Sequence, residues 1–324
     1  MFTFQRPNQE GRGRSWLRRP GVAALAVSLI GLASAFSVRA ELSSPVPPTL
    51  EDAKKSDVTV QALRGNLSIL FGSGGNIAVL SAPDGLFMVD AGIAVSRQKI
   101  EAALKSVGPG PVRYVVNSHY HWDHSDGNEW LHSTGAEIIA HKNTLKHLSA
   151  TTRVIEWGYT FPPAPEAARP TVLVDREKTM AFGGETIVIR NFGSGHTDGD
   201  LAIYFSKADV LMTGDIWWNG LYPFIDYGAG GGINGMITWA DALLKMTTDK
   251  TIIVPGHGQV GTRAQLQAFR QMLVTSRDRV GRLKKQGLTL GEILEKKPTA
   301  PFDKQYGNFW IDPTFFTTLV YNGL

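Results

Sequence analysis

The chain of 324 residues contains no cysteine. That absence removes disulfides, thiolate metal sites and cysteine nucleophiles together, and leaves the redox compartment unreadable from cysteine usage. No internal repeat and no low-complexity segment is present. No lysine or arginine cluster accompanies the motifs described below, so the chain offers no nucleic-acid footprint. A content of 43% hydrophobic and 19% charged residues is that of an ordinary globular protein. The length suits one large α/β domain or two small ones.

The basic charge is concentrated at the N-terminus. Arg12, Arg14, Arg18 and Arg19 precede an apolar run, Gly21 to Phe36, and Val38-Arg39-Ala40 then gives a small-x-Ala cleavage pattern. We read residues 1–40 as a secretory signal peptide with Glu41 as the first mature residue. The run is short for a membrane span, so no stable anchor is expected after cleavage. Arg18-Arg19 also permits twin-arginine export, although Pro20-Gly21-Val22 continues that motif poorly. Without these residues the 33 basic and 29 acidic side chains become 27 and 28. The expected location is periplasmic or secreted.

Residues 41–56 are Pro/Ser-rich and are expected to be a surface leader. Strands are expected at 58–63, 67–71, 76–80 and 86–90, punctuated by glycine-rich turns. Residues 95–107 carry helical periodicity and lead into a β-branched strand, Val112 to Asn117. Residues 151–170, with Trp157, Tyr159, Phe161 and four prolines, form no regular element on this reading and cross the mouth of the site. The second half repeats the order: strands near 185–190, 200–205, 209–213 and 251–254, and helices over 235–247 and 262–284. Two β-rich halves, each followed by helices, predict an α/β protein, a four-layer αβ/βα sandwich. The domain then runs over 57–324, with a helical extension from about 286 in which the aromatics of 302–315 mainly pack.

Four strand ends carry metal-ligand chemistry. Asn117-Ser118-His119-Tyr120-His121-Trp122-Asp123-His124 puts three histidines and an aspartate into six positions. Residues two apart in an extended segment point the same way, so His119 and His121 can grip one ion. Asp123 and His124 follow where the chain turns and can face a second. His196 lies in the glycine-rich turn Gly193 to Asp200, Asp215 ends the strand Val210 to Thr213, and His257 follows Ile253-Val254-Pro255-Gly256. Imidazole and carboxylate are zinc-type ligands. Five of the eight histidines occupy such positions, whereas His132, His141 and His147 do not and are read as surface or supporting residues.

His-x-His-x-Asp-His, Gly-His-Thr, Thr-Gly-Asp and Pro-Gly-His-Gly, taken in that order, resemble the metallo-β-lactamase superfamily. The resemblance implies that His119, His121 and His196 hold a first metal, that Asp123, His124 and His257 hold a second, and that Asp215 bridges them. Asp90 matches a position that supports the metal loop. Two zinc ions are implied, with iron or manganese open. The nucleophile would be metal-bound hydroxide, oriented by Asp123 as the catalytic base.

Within that superfamily, lack of cysteine sets the chain apart from the largest β-lactamase subclass, and a full second site sets it apart from persulfide dioxygenases. The expectation is a secreted hydrolase of an ester, lactone, thioester or similar electrophile on a fairly apolar small molecule. The alternatives are a β-lactamase, a hydrolytic dehalogenase, or a mononuclear-iron persulfide-dioxygenase-like oxidoreductase. The aromatic stretch after Asp215 suggests an apolar pocket wall, with Trp218, Asn219 and Tyr222 as expected substrate contacts.

Overall fold

A computed structural model describes residues 44–324; the expected signal peptide lies outside the described residues. In chain order the first half holds α1 (Val46–Lys55), β1 (Thr59–Ala62), β2 (Leu67–Phe71), β3 (Ile77–Ala82), β4 (Gly85–Val89), α2 (Arg97–Val107), β5 (Val112–Val116), α3 (Trp122–Ser125), α4 (Asn128–Ser133), β6 (Glu137–His141) and α5 (Lys142–Leu148). Then come β7 (Thr152–Val154), β8 (Tyr159–Phe161), β9 (Val172–Val174), β10 (Glu177–Phe182), β11 (Glu185–Arg190), β12 (Ala202–Phe205) and β13 (Val210–Met212). The remainder is α6 (Ile233–Met246), β14 (Ile252–Val254), α7 (Arg263–Lys285), α8 (Leu290–Glu295), α9 (Ala300–Tyr306) and α10 (Pro313–Asn322).

The strands form a seven-stranded sheet, β1-β2-β3-β4-β5-β6-β9, and a five-stranded sheet, β10-β11-β12-β13-β14. Both are mixed: β4, β5, β6 and β9 run parallel, as do β13 and β14, while the remaining neighbours are antiparallel. Side-chain alternation assigns each face. Ala78, Leu80, Phe87, Val89 and Val116 of the first sheet share one core with Ile187, Ile189, Ile203, Met212 and Val254 of the second. Their neighbours Ile77, Val79, Met88, Val115 and Ile138 turn outward onto Ile100 and Leu104 of α2 and Leu131 of α4. Leu211 and Ile253 turn outward to the other side, onto α6, α7 and α10. The layers are therefore helix, sheet, sheet, helix. Each fully buried Leu, Ile, Val or Phe contributes about 1.5–3 kcal/mol relative to exposure.

Three expectations change. The 41–56 stretch is not a surface leader along its length. From Val46 it is a helix, with proline tolerated in its first turn. Val46 and Ala53, seven residues apart and so on one face, are buried. Ser96 Oγ donates to Ala53 O (3.2 Å), and Lys99 Nζ donates to Lys54 O (2.9 Å) and Ser56 O (2.5 Å), which fastens the end of α1 to the start of α2. Residues 151–170 are not irregular throughout, because β7 and β8 pair as a hairpin from Thr152↔Phe161 to Val154↔Tyr159. Three-residue strands are too short to show a period. Residues 288–324, which read from the sequence as a helix, a loop and a short helix, form three helices, α8, α9 and α10.

Candidate metal centre

Every ligand-type residue named from the sequence arrives at one end of the two sheets. Asp90 follows β4, the His119–His124 loop follows β5, Asp215 follows β13 and His257 follows β14. Parallel pairing of β4 with β5 and of β13 with β14 places those C-terminal ends side by side. His196 is brought in by the β11–β12 connection, held by Thr197 N and Oγ1, which donate to Asp200 at 2.9 and 2.6 Å.

The side chains fall into two groups. His119, His121, His196 and Asp215 make one, and Asp123, His124 and His257 the other, with the ligand atoms of each within 4.8 Å of one another. In the first, His119 Nε2 lies 3.0 Å from His121 Nδ1, and His121 Nδ1 lies 2.9 Å from His196 Nε2. Asp215 Oδ2 is 3.7 Å from His119 Nε2 and 3.5 Å from His196 Nε2. In the second, His257 Nε2 is 3.3 Å from Asp123 Oδ2 and 3.4 Å from His124 Nε2. Asp215 faces this group too, with Oδ1 3.1 Å from His124 Nε2 and Oδ2 3.5 Å from His257 Nε2.

These distances suit a cation. Ligands about 2.0–2.2 Å from one tetrahedral zinc stand roughly 3.3–3.6 Å apart. The tautomers agree. His121 Nε2–H donates to Asp226 Oδ2 (2.9 Å), His196 Nδ1–H to Phe224 O (2.9 Å), and His124 Nδ1–H to Asp90 Oδ2 (2.8 Å). His119 Nδ1 meets Ser118 Oγ (3.0 Å), whose own proton goes to Asp90 Oδ2 (2.8 Å). Carbonyls and carboxylates only accept, so the outward nitrogens carry the protons and the inward ones present lone pairs. Inward lone pairs at about 3 Å repel unless a positive charge sits between them. Asp215 Oδ1 is buried without a hydrogen-bond partner, which is the state of an oxygen reserved for a cation.

Electrostatics separates the groups. Burial holds His119 well below the usual histidine value, with His124 adding to the effect, and burial brings His196 down to about 4. Burial also opposes protonation of His124 and His257, but there the carboxylates prevail. Asp215 and Asp123 lift His124 well above the usual value and lift His257 to about 9. Burial pushes the Asp215 carboxyl up, yet the histidines around it outweigh that and keep it ionised.

Two glycines make the approach possible. A Cβ on Gly75 would lie 2.1 Å from the His124 ring, and one on Gly256 would lie 2.0 Å from Asp215 Oδ1. Asp90 adopts φ 66°, a left-handed conformation that aspartate tolerates better than most residues. It bonds Ser118 N (2.6 Å) as well as Ser118 Oγ and His124.

Sequence reasoning missed Asp226. It holds His121 and accepts from Tyr120 O–H (2.5 Å) and Ala229 N (2.9 Å). An aspartate eleven residues after a ligand, inside an aromatic run, carries no spacing signal. The substrate guesses divide. Trp218 lines the cavity over the centre, its ring 4.2 Å from that of His257. Asn219 does not line that cavity; its N donates to His257 O (2.9 Å) and its Nδ2 to Gln259 O (2.8 Å), bracing the ligand loop. Tyr222 is fully buried, stacked on Phe316 and bonded to Asp303 Oδ1 (2.7 Å), so it packs against the C-terminal extension. Of the other histidines, His132 is exposed, His141 caps α5, and His147 pairs with Asp198 (2.8 Å).

Two layers of sheet, a His/Asp constellation at their common end and room for two cations define a metallo-hydrolase of the α/β sandwich type. The family model of the metallo-beta-lactamase superfamily matches residues 70–257, and the chain belongs to that superfamily. It is similar to a linear primary-alkylsulfatase from Pseudomonas sp. (strain ATCC 19151), 23% identical over 69% of this chain and 50% of that protein. It is also similar to a hydroxyacylglutathione hydrolase from Rhodospirillum rubrum, 27% identical over 36% of this chain and 38% of that protein. The matches thus span half or less of those curated relatives. Among solved structures, a double mutant of the sec-alkyl sulfatase PisA1 superposes with a TM-score of 0.64 at 18% identity, covering 85% of this chain and 52% of that one. The DIM-1 metallo-beta-lactamase superposes with a TM-score of 0.53 at 19% identity, covering 68% and 98%. Likeness at that identity shows the fold.

Proposed function

We propose that the protein is a dinuclear-zinc hydrolase that cleaves an uncharged ester, lactone or thioester carrying an apolar group. The observation that carries this reading is the pairing of the two ligand groups with an apolar cavity of about 590 Å³ directly over them. Bound zinc would supply Lewis acidity toward the attacked carbonyl and lower the pKa of water at the centre. The chain's residues do the rest. His119, His121 and His196 would hold one ion, and Asp123, His124 and His257 the other. Asp215 would place its negative charge between them. Asp123, one of the more open ligands at 13% exposure, is positioned to orient the attacking water and accept its proton. Trp218 and Trp157 exclude bulk water from the approach.

Apart from the metal-ligand residues, the only charged side chain that lines the cavity among the described residues is Asp52. Among the described residues no lysine or arginine lines the cavity to meet a sulfate or phosphate ester, which favours a neutral electrophile. The alkyl sulfate reading is kept second because similarity to alkylsulfatases extends over most of the chain. β-Lactam and haloaromatic hydrolysis remain minor alternatives of the same site.

The test is metal analysis of the mature protein beside a panel of ester, lactone, thioester, β-lactam, chloroaromatic and alkyl sulfate substrates. Two zinc equivalents with turnover of neutral esters or thioesters is the expected result. One iron with oxygen consumption would replace the hydrolase by a persulfide-dioxygenase-like enzyme. Turnover confined to alkyl sulfates would install the second reading. N-terminal sequencing of the exported protein should start at Glu41, and a product retaining residues 1–40 would make that segment an uncleaved anchor instead of a cleaved signal peptide.

A further inference from the structure

Two aromatic columns rise from the metal ligands to the C-terminal extension. Trp157 lies against His121 with ring centroids 5.0 Å apart, and Trp310 lies against Trp157 at 5.9 Å. Trp218 lies against His257 at 4.2 Å, and Phe309 lies against Trp218 at 6.4 Å. Each column therefore starts on a histidine of a different ligand group and ends on one of two adjacent residues. All four aromatics line the cavity over the centre. Pro48, Thr49 and Asp52 of α1 line it as well. Ser73 in the β2–β3 turn donates to the Asp52 carboxylate, so this stretch of α1 is tied to the loop beside the centre.

Part of the cavity wall comes from outside the metal-bearing stretch of the chain. The superfamily match covers residues 70–257. Phe309, Trp310 and α1 lie outside it. Phe309 lines the cavity and is 52% exposed, so its ring is open to a molecule that enters there. A cavity of about 590 Å³ is large enough for a small organic molecule, far more than an acetyl group needs.

We propose that α1 and the Phe309-Trp310 pair form a substrate subsite for an uncharged aromatic or medium-chain alkyl group, held between the two columns with its scissile bond over the metal centre. This rests on the hydrolase reading above. It goes further in assigning selectivity to segments outside the metal-bearing core. Phe309 and Thr49 are then specificity residues on opposite ends of the chain, neither of them a metal ligand. Phe309→Ala removes a wall from the subsite, and Thr49→Trp fills it.

The test has a binding arm and a turnover arm. In the first, the metal-free protein is titrated with the neutral fluorophore N-phenyl-1-naphthylamine. Wild type should bind it, and each variant should bind it about tenfold more weakly at unchanged circular dichroism. In the second, the zinc-loaded proteins hydrolyse p-nitrophenyl acetate and p-nitrophenyl octanoate, which share a leaving group. Both variants should lose about tenfold in kcat/KM for the octanoate and less than twofold for the acetate. Equal losses on both esters, or fluorophore binding unchanged by both substitutions, would overturn the subsite. Variant-sensitive fluorophore binding by the metal-free protein, together with no cleavage of either ester by the zinc-loaded wild type, would keep the subsite and sink the ester-hydrolase reading instead.

Discussion

The two halves of the metal centre differ in how they meet water. His119, His121, His196 and Asp215 are all at most 3% exposed, whereas Asp123 and His257 in the other half are each 13% exposed. In the buried half, His121 and His196 donate their outer N–H to Asp226 and to the Phe224 carbonyl, and desolvation keeps His119 and His196 from taking up a proton. That half is arranged for a metal and for nothing lighter. In the open half, carboxylates favour protonated histidine, so a proton can stand in when the metal is away. The lesson is one of division of labour. The cavity is lined from both groups, by His121 and Asp215 as well as by Asp123 and His257, but Asp123 and His257 are the ligands most open to it.

The largest test removes a ligand from the buried half. His121→Ala should reduce turnover to the solvent background while circular dichroism stays unchanged; activity within threefold of wild type would remove His121 from the ligand set. Changing the supporting carboxylates should then separate the halves. Asp226→Asn weakens the hold on His121, and zinc affinity of the buried half should fall about 10–100-fold. Asp90→Asn acts on His124 directly and on His119 only through Ser118. It should therefore release the metal of the open half first, read as one zinc lost per protein on dialysis against a weak chelator. Identical metal loss from both variants would erase the distinction.

Smaller effects are expected at the bridge and outside the site. Gly256→Ala drives a Cβ onto Asp215 Oδ1 and should cost about 1–3 kcal/mol of stability, read by denaturant titration, with weakened zinc binding. A buried histidine outside both halves gives the control. Burial holds His141 below the ordinary histidine pKa of about 6.5. The unfolded chain therefore takes up its proton first. The stability His141 supplies is complete above pH ~6.5 and is drained as the pH falls below that value toward the lower folded pKa. The gap in Tm between wild type and His141→Gln should accordingly narrow from pH 7.5 to pH 5. A constant gap would mean that His141 titrates alike in both states.

Much of the centre was legible because ligands at strand ends leave a local mark. The His119–His124 loop concentrates four donors in six residues, and His196, Asp215 and His257 each close an apolar strand or a glycine turn. Alternation marks the faces of β11, where Ile187 and Ile189 are buried and Thr186 and Arg190 are not, whereas Ile77 to Leu80 is apolar and buried on both faces. What was not legible has a common cause. Asp226 supports His121 across 105 positions, and Tyr222 is claimed by Phe316 and Asp303 rather than by a substrate. Nothing near either residue in the chain records its partner. Likewise α1 is Pro/Ser-flanked and charged, with only Val46 and Ala53 turned inward, so composition hid a helix that packs.

The sequence by itself determined the ligand types, their order and the strands that end on them, because alternation and glycine placement act over a few residues. Only the tertiary structure decided which nitrogen of each histidine faces inward, which ligands are closed to water, and that α1 and the Phe309-Trp310 pair line one cavity. Those outcomes depend on contacts between distant segments, such as that of Asn76 with Gly258 across 182 positions, and such contacts exist only once the sheets have packed.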